Sequence, residues 1–402
     1  MSQNGRKTIL FVAEAVTLAH VARPFVLARS LDPEQFDIHF ACASRFNALF
    51  ANAALRRWQI QSVSSEQFLR ALRTGSRLYS SRELAAYVEE DLRLLKSVRP
   101  DLVVGDFRLS LAVSAPLCGI SYAAIANAYW SPFTTISRFP VPDVPITSLL
   151  GVAAATEVFN FLRPAIFAYH ARPLNKVRLK YGLPSLGSLL DVYTHGNYTL
   201  YADLPTLFPT INLPAHHRFM GPLLWSPDVC LPSWWAGLDR QRPIVYVNLG
   251  SSGPEHLLPF LLDTLAKLPL TVVCATAGHR QSLAPHANVY VSDYLPGDAV
   301  SERAALVICN GGSLSVYQAL ANALPVIGIA SNLDQMLCMS GVVKADAGLL
   351  LRAGKLSGSA VERSIDTALN QGRLKAGAEK LAGELARVNG VAAFQSILNE
   401  VV

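Results

Sequence analysis

Residues 304–335 constrain the fold more tightly than any other part of the chain. An apolar run at 304–309 breaks at Asn310-Gly311-Gly312, passes through Ser313 and Ser315, and continues as a helix-like run at 316–323. A second apolar run at 325–330 ends in Asn332, Asp334 and Gln335, where another helical stretch begins. Strand, tight turn, helix, strand, polar turn, helix is the pattern of βαβ units, which build a parallel sheet covered on both faces. The first turn is also suited to an anion. Amides at a helix start lack partners and the helix dipole is positive there. Gly311 and Gly312 let the backbone approach a phosphate closely, and Ser313 or Ser315 can cap the helix or bond a phosphate oxygen. Both polar turns follow strands, at the end of an open α/β sheet where ligands bind.

The same rhythm runs through the rest of the chain. Residues 9–13, 38–41, 102–105 and 122–126 read as buried parallel strands, with helix-like segments at 24–30 and 84–97. A second series follows at 244–249, 271–275, 289–291, 306–309 and 326–329. Between the two lies a less regular region, 131–220, rich in proline and aromatic residues, and then a proline-rich stretch that reads as a linker at 221–240. The expectation is an α/β chain of two Rossmann-like, doubly wound domains, 1–220 and 241–375, facing across a cleft. Residues 376–402 are expected to be helical.

Composition narrows the class. A chain of 402 residues with 51% hydrophobic and 16% charged residues can bury a core in each of two domains. Its mean hydropathy is +0.29, yet no uncharged apolar span of membrane-crossing length (~20 residues) occurs. The nearest, 146–171, contains Glu157, Asn160 and Arg163 and reads as a buried or interfacial helix. Residues 1–220 carry 22 Lys+Arg against 15 Asp+Glu, a net +7, whereas residues 221–402 carry 13 against 14, a net −1. A basic first half suits an anionic surface or an acidic acceptor. Basic runs of the nucleic-acid kind are missing. Six scattered cysteines without a Cys-x-x-Cys read as core residues of a reducing, cytoplasmic compartment. The histidines form no metal pattern, and His216-His217 reads as a surface loop. Glu14 interrupts the first apolar run, which therefore reads as a strand and not a signal peptide.

The 310–335 segment resembles the donor-binding signature of the UDP-glycosyltransferase family. In bacteria that signature runs His-Gly-Gly, a small residue, Gly, Thr or Ser, two residues, Glu-Ala-Leu, then Pro, then Asp-Gln. The Gly311-Gly312 pair, Ser315, Ala319-Leu320, Pro325 and Asp334-Gln335 stand at the family spacing. Asn310 replaces the phosphate-contacting His, and Gln318 replaces the Glu that holds the ribose. The resemblance implies the GT-B architecture and a donor diphosphate on Asn310, Gly311, Gly312, Ser313 and Ser315. It adds Ser251 from the strand-Leu-Gly-Ser segment ending at Gly253. The nucleoside would meet Tyr294, Leu295 and Gln318, and the sugar Asp334 and Gln335. It also implies that the last helix crosses back onto the first domain. Two local readings compete here, capping boxes formed by Ser315 with Gln318 and by Asn332 with Gln335.

In the first half His20 is expected in the loop after the first strand, and Asp106 ends the strand of Pro100-Asp-Leu-Val-Val-Gly-Asp106. Moving a sugar to a hydroxyl needs a base of near-neutral pKa, and imidazole fits. A carboxylate bonded to the other ring nitrogen fixes the tautomer. The resembled family uses such a pair, although His20 to Pro24 is one residue longer than its His-x-x-Pro. Tyr79, Trp130, Phe133 and Phe139 are candidate acceptor-pocket residues. The expected function is therefore transfer of a hexose from a UDP- or dTDP-sugar to an acceptor hydroxyl, inverting, without metal or resident cofactor. The partners would be the nucleotide sugar and a small, lipophilic acceptor. A cytoplasmic protein in peripheral contact with the inner face of the membrane follows from the basic first half. The alternatives are a non-catalytic nucleotide-sugar-binding homologue or activator, and a GT-B-fold epimerase.

Overall fold

Short apolar, β-branched runs become strands, and helices or loops between them return the chain to the same edge, so that the ladders are parallel. The computed structural model describes residues 6–50, 55–239, 241–279 and 283–401. The first sheet contains β1 (Lys7–Ala13), β2 (Phe36–Cys42), β3 (Arg56–Gln59), β4 (Leu102–Asp106), β5 (Ser121–Ala126), β6 (Tyr198–Tyr201) and β7 (His217–Phe219). The second contains β8 (Ile244–Asn248), β9 (Thr271–Ala275), β10 (Val289–Ser292), β11 (Leu306–Cys309), β12 (Val326–Ala330) and β13 (Gly348–Arg352). The orders are β3-β2-β1-β4-β5-β6-β7 and β10-β9-β8-β11-β12-β13. Each sheet thus reverses direction once, between β1 and β4 and between β8 and β11. Doubly wound sheets bind ligands at such switch points.

The chain divides into two units, residues 1–139, 150–223 and 389–402 in the first, and 140–149 and 224–388 in the second. The expected helical tail is two helices: Gly372–Leu385, in the second unit, and Gly390–Val401, in the first. Gly390–Val401 is held there by Phe394, whose ring centroid lies 6.0 Å from that of Phe11. Gln395 Nε2 also donates to the Ser30 carbonyl at 2.9 Å. In the second unit the core gathers Val245, Val247, Leu261, Val272, Ile308 and Ile327.

Several features differ from the sequence reading, which has no strand at β3, β6, β7 or β13. β3 carries Arg56 and Arg57 and does not read as a strand, but it is an edge, where charge is tolerated and discourages further pairing. His217 is not in a surface loop. It opens β7, is 9% exposed, and meets the Tyr201 hydroxyl at 2.7 Å. The 146–171 segment lies within a longer helix, Pro145–Lys180, broken at Gly151 (φ +74°), which is long and apolar enough to cross a membrane by length and composition.

His195 and His217 are both pushed down to about 4, chiefly by burial, with the Arg178 charge adding to the shift of His195 and His216 to that of His217. Both stay neutral when folded but protonate near 6.5 when unfolded. Their stabilising contribution is complete above about pH 6.5 and is lost as pH falls toward 4. The melting temperature should therefore drop across that window, and drop less in His217→Gln. An equal drop in the variant would assign the acid sensitivity to other groups.

Candidate active site

The first switch point is built around Asp106. Ala13 and Asp106 are register partners, so the chain leaving β1 runs beside the end of β4. His20 sits in the first turn of the helix Leu18–Ser30 and not, as expected, in a loop, because the helix begins directly after Thr17 and accommodates Pro24. His20 Nδ1 lies 2.7 Å from Asp106 Oδ1. With that nitrogen donating to the carboxylate, Nε2 is left as an acceptor. The His20 side chain is 19% exposed and Asp106 fully buried.

Sequence reasoning missed two residues here. Arg23, the residue before Pro24, donates from Nε to Asp106 Oδ2 and from Nη2 to Asp106 Oδ1, both at 2.8 Å. Its Nη1 donates to Asn127 Oδ1 at 2.8 Å, and Asn127 Nδ2 donates in turn to Asp203. Burial works against the Arg23 charge, but the Asp106 carboxylate outweighs it and holds the guanidinium above its ordinary value. Phe107 has φ +58° and stacks on the His20 ring with centroids 4.7 Å apart. A bulky residue in the left-handed region costs on the order of 1–3 kcal/mol, and such strain concentrates at functional sites. The one available signal was the extra residue in the His20–Pro24 spacing.

A buried ion cluster flanks the pair. Arg108 donates to Glu14 at 3.0 Å, to Glu90 at 2.8 Å and to Asp91 at 3.1 Å. Burial pushes the Glu14 and Asp91 carboxyls up, against the pull of Arg108. The Glu14 amide also donates to the Asp106 carbonyl at 3.1 Å. The chain just after β1 and just after β4 is thereby tied at a point adjoining His20 and Asp106.

The second switch point lies in the other unit. Cys309 and Asn248 are register partners, which sets the turns after β8 and β11 side by side. The helix Ser313–Ala321 follows, with Gly312 as its N-cap and no side-chain cap. Ser313 and Ser315 therefore do not cap it, and the Ser315–Gln318 capping box is absent. Asn310 supplies the local bonding instead, accepting from the Gly312 amide at 3.0 Å and donating toward Ser252 Oγ at 3.4 Å. Gly311 has φ +82°, and a Cβ there would stand 2.7 Å from Met339 Cγ. The amides of Ser313, Leu314 and Ser315 occupy the first turn, beyond reach of intrahelical acceptors. Ser251 lies half-buried in the adjacent turn.

Around these turns the other donor candidates are placed as follows. Gln318 is 9% exposed and packs on Gly297, where a Cβ would come within 2.5 Å of its Oε1. It thus adjoins the 294–297 segment. Leu295 is buried, and the Tyr294 hydroxyl donates to the Ala277 carbonyl at 3.2 Å. The Asn332–Gln335 capping box is present, with the Gln335 amide donating to Asn332 Oδ1 at 3.0 Å and Gln335 Oε1 accepting from the Ser331 amide at 3.0 Å. Gln335 is 2% exposed, whereas Asp334 is half-buried.

The four acceptor candidates separate. Tyr79 lines a cavity in the first unit together with Leu84, Leu109, His170, Leu174 and Tyr193. Its hydroxyl is buried and has no hydrogen-bond partner. Burial and the Arg77 charge lower the His170 pKa. Trp130 does not line the cavity but meets one of its lining rings, Tyr193, at 5.1 Å between centroids. Phe139 packs on Phe167 and Phe133 on His217, away from the lining. Tyr193 also meets Phe107 at 5.2 Å, so aromatic rings connect the cavity to His20. Among the described residues no group of three or more His, Cys, Asp or Glu is arranged to hold a metal.

Residues 259–390 match the family described as Erythromycin biosynthesis protein CIII-like, C-terminal domain. The chain is 50% identical over 378 residues to a "PGL/p-HBAD biosynthesis glycosyltransferase" of Mycobacterium tuberculosis (strain ATCC 25177 / H37Ra), covering 94% of this chain and 88% of that one. It is 50% identical over 383 residues to a "PGL/p-HBAD biosynthesis rhamnosyltransferase" of Mycobacterium bovis (strain BCG / Pasteur 1173P2), covering 95% and 85%. Among solved structures, "Spinosyn Rhamnosyltransferase SpnG complexed with thymidine diphosphate" superposes with a TM-score of 0.68 at 17% identity, covering 97% of this chain and 99% of that one.

Proposed function

Because this chain belongs to the UDP-glycosyltransferase family and is a glycosyltransferase of the GT-B type, we propose that it transfers a hexose from a nucleoside-diphosphate sugar by one inverting displacement, with neither metal nor resident cofactor. The observation that carries this reading is the His20–Asp106 hydrogen bond at a switch point. As the acceptor oxygen attacks the anomeric carbon, its proton passes to His20 Nε2. The bond from that carbon to the diphosphate oxygen breaks, and the diphosphate leaves with the electron pair. Asp106 holds the imidazole in the accepting tautomer and offsets its gained charge. The first-turn amides of Ser313–Ala321 and the helix dipole receive the leaving charge.

Asp334 is the residue of the Asp-Gln pair that contacts sugar hydroxyls. Gln335 shapes the loop, since its amide oxygen is already engaged. The cavity of Tyr79 and Tyr193 accepts an apolar acceptor, reached by a cytoplasmic protein through peripheral contact with the inner membrane face. Rhamnose is the sugar named for one relative of half-identical sequence. A panel of nucleotide sugars tests the reading by slow donor hydrolysis and thermal shift. Neither stabilisation nor hydrolysis with any UDP- or dTDP-sugar would overturn it.

Gln318 bears on the choice of nucleotide. A Glu at this place accepts from both ribose hydroxyls through a charge, whereas Gln318 offers one carbonyl acceptor and an amide donor. A 2′-deoxyribose loses less by that exchange, so dTDP-sugars should be tolerated comparatively well. The thymidine diphosphate held by the same-fold rhamnosyltransferase agrees with this. In competition between UDP and dTDP, Gln318→Glu is expected to shift preference toward UDP. An unchanged preference would leave Gln318 only its packing role against Gly297.

A further inference from the structure

Beyond its break at Gly151, the helix Pro145–Lys180 has two faces of opposite kind. Inward it contributes Phe167, Ala171, Leu174 and Val177 to the core of the first unit. The opposite stripe runs through Ala154, Phe161, Ala165, Ala168, Arg172 and Leu179, at steps of three, four or seven residues, and every one of these is exposed. Phe161 is 84% and Leu179 61% exposed, with Leu162 and Tyr169 on the flank at 43% and 41%. Leaving a Phe ring in water forgoes the transfer free energy its burial would release, and contiguous apolar surface of this kind marks an interaction site.

Charge says what covers it. The exposed face is mostly apolar as far as Tyr169, and beyond it Arg172, Lys176 and Lys180 are exposed beside Leu179. Between residues 150 and 180 the one carboxylate is Glu157, and it is paired with Arg138. Apolar side chains beside a cationic edge match the boundary between acyl chains and anionic headgroups. Two copies meeting stripe to stripe would instead join two half-chains of net charge +7, with no unpaired carboxylate between residues 150 and 180 to meet Arg172, Lys176 or Lys180. We infer that this stripe lies along an anionic lipid bilayer, with the helix parallel to the surface and not through it, since its other face belongs to the protein core. His170, Pro173 and Leu174 of the same helix line the cavity of Tyr79 and Tyr193. One helix diameter, about 10 Å, therefore separates the proposed acceptor cavity from the bilayer. The inference deepens the functional reading above and rests on it for its purpose, whereas the contact can be measured without any transfer reaction.

The test is co-sedimentation of the full chain with phosphatidylcholine vesicles, with and without phosphatidylglycerol, over a range of salt. The protein is expected to pellet with the anionic vesicles at low salt and to be released as the screening length shrinks toward ~8 Å. Phe161→Ser should lower partitioning roughly tenfold or more, and Arg172→Glu with Lys176→Glu roughly thirtyfold or more. All these side chains are exposed, so the fold should be unaffected, and thermal stabilisation by UDP or dTDP on the same samples should match wild type. Wild-type protein that stays in the supernatant at low salt would overturn the inference, as would variants that pellet like wild type. A self-association that Phe161→Ser abolishes would assign the stripe to a second copy. Loss of nucleotide stabilisation with vesicle binding intact would count against the donor site, not the bilayer.

Discussion

Sugar transfer by a His20→Ala variant is expected to fall roughly 100-fold or more, with donor affinity unchanged. His20 is the group at the first switch point that combines a basic nitrogen, partial exposure and an orienting carboxylate. Its removal leaves the buried Arg23–Asp106 pair whole, but the ring is only 19% exposed, stacks on Phe107 and bonds Asp106. The rate loss should therefore come with a modest fall in melting temperature and with nucleotide stabilisation retained. Asp106→Asn is a less clean probe. It also lowers turnover, but it strips Arg23 of its bidentate partner, and breaking a buried pair costs roughly 3–5 kcal/mol. Initial rates of transfer beside nucleotide thermal shifts check the assignment. Near wild-type turnover in His20→Ala would remove His20 from the role of base.

The second large effect is expected at Gly312. Its φ of −73° and ψ of 144° suit any L-residue, and the nearest atom to an added Cβ is Asn310 Oδ1, at 3.2 Å. Gly312→Val should fold, at a cost of about 0.5–2 kcal/mol for a poor N-cap, with Asn310 giving a few tenths of an ångström to the added Cβ. Its branches would occupy space in front of the first-turn amides of Ser313–Ala321, where the diphosphate is proposed to sit. A ligand at 100 times its Kd stabilises by about 2.7 kcal/mol, roughly 5–10 °C for a unit of this size. That shift should vanish in the variant. Gly311 could not serve, since its left-handed φ and the closeness of Met339 would destabilise any replacement. A Gly312→Val protein still stabilised by nucleotide as strongly as wild type would falsify the diphosphate placement.

How much of this was legible beforehand follows from the range of each interaction. Burial on both faces makes a parallel strand a continuous apolar run, so β1, β4, β8, β11 and β12 are readable from single segments. Edge and polar strands such as β3 and β7 are not, because what makes them strands is a neighbour and not their own composition. Asn332 with Gln335 is legible as a cap because the partners lie three residues apart. Ser315 with Gln318 looks the same in sequence and forms no cap, since the helix starts two residues earlier than Ser315.

By itself the amino-acid sequence determined the class of fold, the two strand-end turns suited to phosphate, and the pair of residue types able to take a proton from a hydroxyl. Each of these is written in local periodicity, turn chemistry or spacing, and so in neighbours along the chain. Only the tertiary structure decided which distant residues meet. The order β1-β4 brings Arg23 and His20 onto one carboxylate across more than eighty residues of chain. It also sets Phe107 in a strained conformation against the ring, and turns one face of the Pro145–Lys180 helix into the core and the other to the surface. The physical reason is that a side chain's type limits what it can bond, whereas its partner depends on strand order, and strand order is a property of the whole sheet.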